Sequence, residues 1–455
     1  MPLTHDAPGG VEAALELVAG FDDALGHGFA RVGEEQAAAL RAFGGALAAT
    51  PLGSRAGEAA EKVAAGSVSG DHLTALAAGR AALTGAVHDA LLAGLDAALG
   101  RDRAEWTAAT GTGEAENLLG GALAWLHELA ITGWRGVGQD LVSASDQVIE
   151  ALLADPGKRR LAVLLDGLAA ELRAVCPLAP AVEPPARRWA DLWTRAVLLS
   201  RGIPEAGPAE EVTGRLLVLG ADVHEHGTAV QVRVHGVLER GEGTPDLLVR
   251  TSVAAAKVDT IIGPAVWKLL AGFPVLLTAL AERRALEVTG MPLLPGGDLV
   301  WHEDRARTGE EADPFTVARV RLATAAAPAV PPLDRHPVAI AEPILLEGYT
   351  ARAGDGGTVF ELGDLTLDVM SGAPCGPITA DLAGRSTACV GLVLWDAGRW
   401  RLRPLAVQAT VKRATVTACT GDWALGPTDP KVAKAEAKSD AVAVLRERAG
   451  RLLRK

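Results

Sequence analysis

The apolar residues of this chain change their spacing once, and the change falls in the Pro/Gly/Glu-rich stretch "GIPEAGPAEEVTG", Gly202–Gly214. Before it they recur every three to four residues. Leu161, Leu164, Leu165, Leu168 and Leu172 form one such stripe; Leu119, Ala122, Leu123, Leu126 and Ala130 form another; Leu141, Ala144, Val148, Ile149 and Leu152 form a third. That spacing gathers side chains on one face of a helix. Asp155-Pro156-Gly157 separates two stripes, and Pro184-Pro185 opens a helix with Trp189, Leu192, Trp193 and Ala196 on one face, closed by Gly202. After the linker the alternation is by two, the period of a strand. The sequence therefore predicts an α+β multidomain chain. An N-terminal all-α bundle covers 1–205, a β-rich, barrel-like domain covers 206–428, and a basic amphipathic tail covers 429–455. A helical insertion is expected in the β-rich part at about 258–285.

Composition narrows the class. With 49% apolar and 22% charged residues the chain is globular rather than disordered. A formal net charge of −12 repels phosphate backbones and disfavours nucleic acid as a partner. Cys176, Cys375, Cys389 and Cys419 form no CxxC pair, so buried free thiols are expected rather than zinc. The start, "MPLTHDAPGG", has neither a basic nor an apolar region of a secretory signal. The apolar run Thr260–Ala281 is long enough to span a bilayer, but Lys268, Pro264 and Pro274 interrupt it. It reads as a buried helix or helix pair. A cytoplasmic bacterial protein without a membrane segment is the expectation, the source resting on the strong preference for Arg over Lys.

The stretch "ADVHEHGTAV", Ala221–Val230, offers the one cluster that suggests metal chemistry. His224 and His226 flank Glu225, and His235 follows. A two-residue hairpin turn at His226-Gly227 pairs residues whose numbers sum to 453. Val230 then meets Val223, Val232 meets Ala221, and Val234 meets Leu219, which leaves one face dry and the other mostly polar. In that register His235 pairs with Val218, about 20 Å along the strand from His224 at ~3.3 Å per residue. His224 and His226 alone are two ligands where zinc needs three or four. His302 or Glu303 of "VWHED" would have to complete the site. No cofactor is therefore expected.

In "LVLWDAGRWRLRPLAV", Leu392–Val407, a loop at Asp396-Ala397-Gly398-Arg399 makes Trp395 face Trp400 and Val393 face Leu402. The pair suits a core, or a platform for a base or a partner side chain. Asp22-Asp23 and His302-Glu303-Asp304 read as solvated carboxylate clusters. "ATGTGEAEN", Ala109–Asn117, reads as a helix cap. The tail from Asp429 holds eight Lys and Arg against four Asp and Glu. Its apolar stripe, Val442, Leu445, Ala449, Leu452 and Leu453, runs among Arg446, Arg448, Arg451 and Arg454, which are candidate partner contacts. No phosphate loop, strand–GxGxxG–helix unit, HExxH or GxSxG is present.

Two stretches, "PARRWADLWTRAVLLSRG" and "VGLVLWDAGRWRLRPLAVQA", resemble uncharacterised actinobacterial proteins that accompany MoxR-type AAA+ ATPases, von Willebrand factor A proteins and SWIM zinc-finger proteins. The resemblance implies an accessory protein of a multi-component, chaperone-like system and transfers no catalytic residue. The expectation is a non-enzymatic binding or adaptor protein, with an AAA+ ATPase or von Willebrand factor A protein as partner. A metal-dependent hydrolase using His224 and His226, and a single-stranded nucleic-acid binder using Trp395 and Trp400, are the alternatives.

Overall fold

A computed structural model describes residues 8–107, 117–179, 181–202, 209–226, 229–241, 243–354, 357–363, 365–372, 374–438 and Val442. The N-terminal region is helical: α1 (Val11–His27), α2 (Glu34–Ala46), α3 (Gly53–Ala64), α4 (Gly70–Leu99), α5 (Asn117–Thr132), α6 (Gln139–Ser143), α7 (Asp146–Leu153), α8 (Arg159–Val175) and α9 (Ala186–Ser200). The leucine stripe of α8 is buried throughout, as its spacing requires. The 141–152 stripe breaks into α6 and α7 at Ala144-Ser145. Aromatics lock the bundle. Phe21 stacks on Phe43 at 4.9 Å, Trp134 meets Trp189 edge-on at 5.7 Å, and Trp193 Nε1 donates to Leu126 O at 2.9 Å. Asp22, expected at the surface, is instead buried and accepts from Arg80 Nε and Nη2 at 2.6 and 2.9 Å. One α-helix, α4, is long and apolar enough by length and composition to cross a membrane, among the described residues. Its first half packs in the bundle core through Leu73, Leu76 and Ala77. Its second half packs elsewhere.

The rest of the chain makes two mixed sheets. The first holds β1 (Glu210–Glu225), β2 (Ala229–Glu239), β3 (Leu247–Ala256), β4 (Arg284–Leu293), β5 (Asp298–Leu299) and β6 (Ala306–Glu311). Its order is β1-β2-β3-β5-β4-β6, and β1 also pairs with β4, which closes a five-stranded ring. The β3–β5 pairing is parallel and the other pairings in the ring are antiparallel. Between β3 and β4 lie a 3₁₀ segment, Gly263–Leu270, and α10 (Pro274–Glu282). This is the predicted insertion. It is a helix pair split before Pro274, and Val266, Trp267, Leu270 and Leu276 join the core of the ring.

A short helix, α11 (Pro314–Val317), precedes the second sheet. That sheet holds β7 (Ala341–Glu347), β8 (Thr350–Gly354), β9 (Gly357–Leu362), β10 (Leu365–Val369), β11 (Ser386–Asp396), β12 (Arg399–Val411) and β13 (Ala414–Cys419). Here α12 (Ala380–Gly384) separates β10 from β11. The ring repeats: β7 runs on into β8, which pairs with β9, β9 with β10, β10 in parallel with β12, β12 with β11, and β11 with β7. Both rings thus have the strand order and helix position of a five-stranded Greek-key barrel of the OB type. The barrel-like expectation is met twice.

The helical and β-rich regions share a core. Val87, Leu91, Leu92 and Leu95 of α4 cluster with Trp395, Trp400, Leu402 and Phe360 of the second barrel. The barrels also touch each other. β1 passes so close to β12 that a Cβ on Gly220 would lie 2.6 Å from Leu405 Cβ. Arg283 holds Asp422 with two bonds, at 3.0 and 2.8 Å. The last helix, α13 (Pro430–Lys438), is pinned by Lys268 to Glu436 at 2.9 Å, and Val442 is buried in the first barrel's core.

Candidate functional site

The β1–β2 hairpin keeps the predicted faces from Ala221 to Val234 but not the predicted register. Beyond the bulge at Val218–Gly220 the faces exchange: Val218, expected on the polar face, lies in the first barrel's core, and Leu219, expected on the dry face, lies in a separate cluster with Ala285 and Val390. Val223 pairs with Val232 and Ala221 with Val234, a shift of two from the expected partners. Alternation fixes which face a residue takes, and a shift of two preserves it. The strands separate after Glu225↔Val230, with His226 N–H donating to Ala229 O at 2.8 Å. Gly227 itself lies outside the described residues. The same shift of two pairs His235 with Gly220 rather than Val218, and a bulge between Val218 and Gly220 moves the ladder by one beyond that pair. His235 is therefore four ladder positions from His224, about 13 Å along the strand at ~3.3 Å per residue.

The valines point into the barrel, and the polar residues line up on its outer surface in rows across three strands. The rows are His224, Gln231 and Ala254; Asp222, Arg233 and Ser252; Gly220, His235 and Arg250. His224 Nε2 lies 2.9 Å from Asp222 Oδ2. The same carboxylate receives Arg403 Nη1 from β12 of the second barrel at 2.6 Å. Burial alone would raise the Asp222 pKa, but the bonds from His224 and Arg403 hold it down at about 2. Arg250 grips Asp298 with two bonds of 2.7 Å. Arg233 has no such partner for its buried Nε. Burial and the neighbouring Arg250 push its pKa down.

His235 lies at the end of this face, 3% exposed, with no partner for Nε2. It lines a cavity of about 50 Å³ with Arg103, Arg250, Gly297, Pro331 and Glu342. That suffices for a few waters or one small oxyanion. The chain beyond α4 closes the cavity. Arg101 and Arg103 lie 2.8 and 3.0 Å from Glu342 Oε2, and Arg103 also holds Asp96. Burial would raise the Glu342 pKa, but Arg103 and Arg101 keep it low. Burial, then Arg233 and Arg250, lower the His235 pKa to about 3, so its ring is neutral at physiological pH.

The other predicted residues fall elsewhere. His226 is exposed beyond the hairpin end. Glu303 accepts from Val275 N and Trp301 Nε1, so it caps α10 instead of joining His224. No three His, Cys, Asp or Glu side chains gather as a metal would require, among the described residues. Trp395 and Trp400 pair as the sequence predicts, edge to face at 5.0 Å, and are 4% and 5% exposed. That leaves no indole face open for stacking. The four thiols are free and buried, and burial raises each pKa. Arg446, Arg448, Arg451 and Arg454 lie outside the described residues. Sequence reading missed Arg233 and Arg250 as a group, although their outward parity follows from the valines. Arg103 and Glu342 come from remote chain positions and leave no local signal.

Compared with protein-family models, curated proteins and solved structures, the chain matches none.

Proposed function

We propose that this chain is a non-enzymatic binding protein, an adaptor in a cytoplasmic multi-component bacterial system. The outer face of its first barrel receives an acidic group of a partner protein. The observation that carries this reading is Arg233, a half-buried guanidinium beside Arg250 and Arg403, whose Nε is left without an acceptor although Asp298 and Asp222 lie nearby, each engaged by another arginine. An incoming carboxylate supplies the acceptor. The resemblance of the α9 and β11–β12 stretches points to a MoxR-type ATPase or a von Willebrand factor A protein as that partner. The test is co-elution of the purified chain with each of these proteins from the same genome. A complex that weakens with salt and with Arg233→Glu is expected. Failure of every candidate to associate at low salt removes the reading.

Two consecutive barrels of OB topology favour a second reading, a single strand of nucleic acid laid across a strand face. The net charge of −12 and the enclosed Trp395 and Trp400 weigh against it. Unchanged polarisation of a labelled oligonucleotide at low salt would dismiss it.

A further inference from the structure

A second pocket lies away from the barrel face, where the first three turns of α9 meet the loop that leads into β7. It encloses about 490 Å³, within the range of small-molecule sites. Pro185, Ala186, Leu192 and Val338 give it apolar walls, and Arg187, Arg195, Asp191 and His336 give it polar ones. The loop is anchored on two helices: Arg335 reaches Asp89 of α4 at 3.1 Å, and Asp334 receives Arg160 of α8 at 2.6 Å.

Three sets of donors here lack acceptors. His336 Nδ1 accepts from Val338 N–H at 3.2 Å, so the neutral ring carries its proton on Nε2. That Nε2 has no hydrogen-bond partner in a residue 7% exposed, and its nearest carboxylate oxygen, Asp191 Oδ1, lies 3.6 Å away. Arg195 Nε is also buried without an acceptor, although Nη2 bonds Asp191. The Arg187 guanidinium forms no ion pair with a described residue. Arg80 stands behind the pocket, shared between Asp22 and Asp191. Three guanidiniums, Arg80, Arg187 and Arg195, thus answer to two carboxylates, Asp22 and Asp191. Burial and Arg80 depress the Arg187 pKa, and burial with Arg187, Arg80 and Arg195 depresses that of His336 to about 4, against the pull of Asp191.

We infer that this pocket binds a small organic oxyanion, a carboxylate or phosphate carried on a compact apolar body. The charged end takes the free donors of Arg187, Arg195 and His336, and the body lies against Pro185, Leu192 and Val338. The site shares no residue with the barrel face, so it stands or falls separately from the adaptor reading.

Calorimetry of the full chain with benzoate, phenyl phosphate, inorganic phosphate and benzyl alcohol tests it. One saturable site is expected for benzoate or phenyl phosphate, and the tighter of the two identifies the anion. Inorganic phosphate binds more weakly and benzyl alcohol not at all. Arg187→Gln weakens binding about 10-fold with an unchanged melting curve, and Arg187→Lys retains most of it. Affinity for benzoate rises as the pH falls from 6 to 5, with proton uptake, because an anion beside His336 raises its pKa from about 4. Absence of binding by both organic anions overturns the inference. So does benzyl alcohol binding as tightly as benzoate, or an equal loss in Arg187→Gln and in the distant variant Arg352→Gln.

Discussion

Gly220 sits where two barrels meet, and nothing larger fits. Its φ is +153°, and an added Cβ would lie 2.6 Å from Leu405 Cβ. Gly220→Ala should cost about 2–4 kcal/mol, combining backbone strain with overpacking. Gly398, at the β11–β12 turn with φ +78° and open space around it, isolates the backbone part. Gly398→Ala should cost only about 1 kcal/mol. Urea denaturation of both variants checks the difference, and equal losses would remove the contact argument. His235 and His336 make stability depend on pH. Their rings stay neutral in the fold down to about 3 and about 4, while an unfolded histidine takes its proton near 6.5. Between those values the unfolded chain holds more protons, so acid favours unfolding. Stability is complete above about pH 6.5 and falls by about 1.4 kcal/mol per unit for each ring below it. Urea midpoints at pH 7.5 and 5.5 measure this, and His235→Gln should reduce the drop.

At the scale of elements, the buried Arg80–Asp22 pair ties α4 to α1. Arg80→Met should destabilise by about 3–5 kcal/mol, because it strands Asp22 in an apolar core. Arg80→Met with Asp22→Leu should recover much of that, and a double change no better than the single would refute the charge argument. Trp395→Ala should cost about 3–5 kcal/mol by emptying a buried indole site. These elements were unequally legible in the sequence. The α8 leucine stripe and the Trp395–Trp400 pairing were read correctly because each depends on local spacing. The β1–β2 register was not, because alternation cannot distinguish a shift of two, and the apolar run Leu216–Leu219 hides the bulge that reverses the inward parity there. Asp22 looked like surface because its partner lies 58 residues away. The barrel-face arginines were missed although strand parity places them outward, whereas the α9 pocket required His336 and Arg195 to be brought together by the fold.

At the scale of the whole molecule, the sequence boundary near residue 205 marks a change of secondary structure, not a gap between cores. Val87, Leu91, Leu92 and Leu95 give the second barrel part of its interior. Urea unfolding should therefore follow one transition, with far-UV ellipticity and Trp fluorescence coinciding. A fragment of residues 206–455 should expose apolar surface and bind a hydrophobic dye. Two separated transitions, or a monomeric fragment that melts cooperatively, would contradict the shared core. The long helix has a mechanical consequence as well. Arg80 stands behind the α9 pocket and Asp96 holds the arginine that closes the His235 cavity, about 24 Å further along the same rod at 1.5 Å per residue. A stiff strut cannot slide at one end alone. The backing of the pocket and the closure of the cavity thus hang on one piece of secondary structure, and a break in its middle would loosen both.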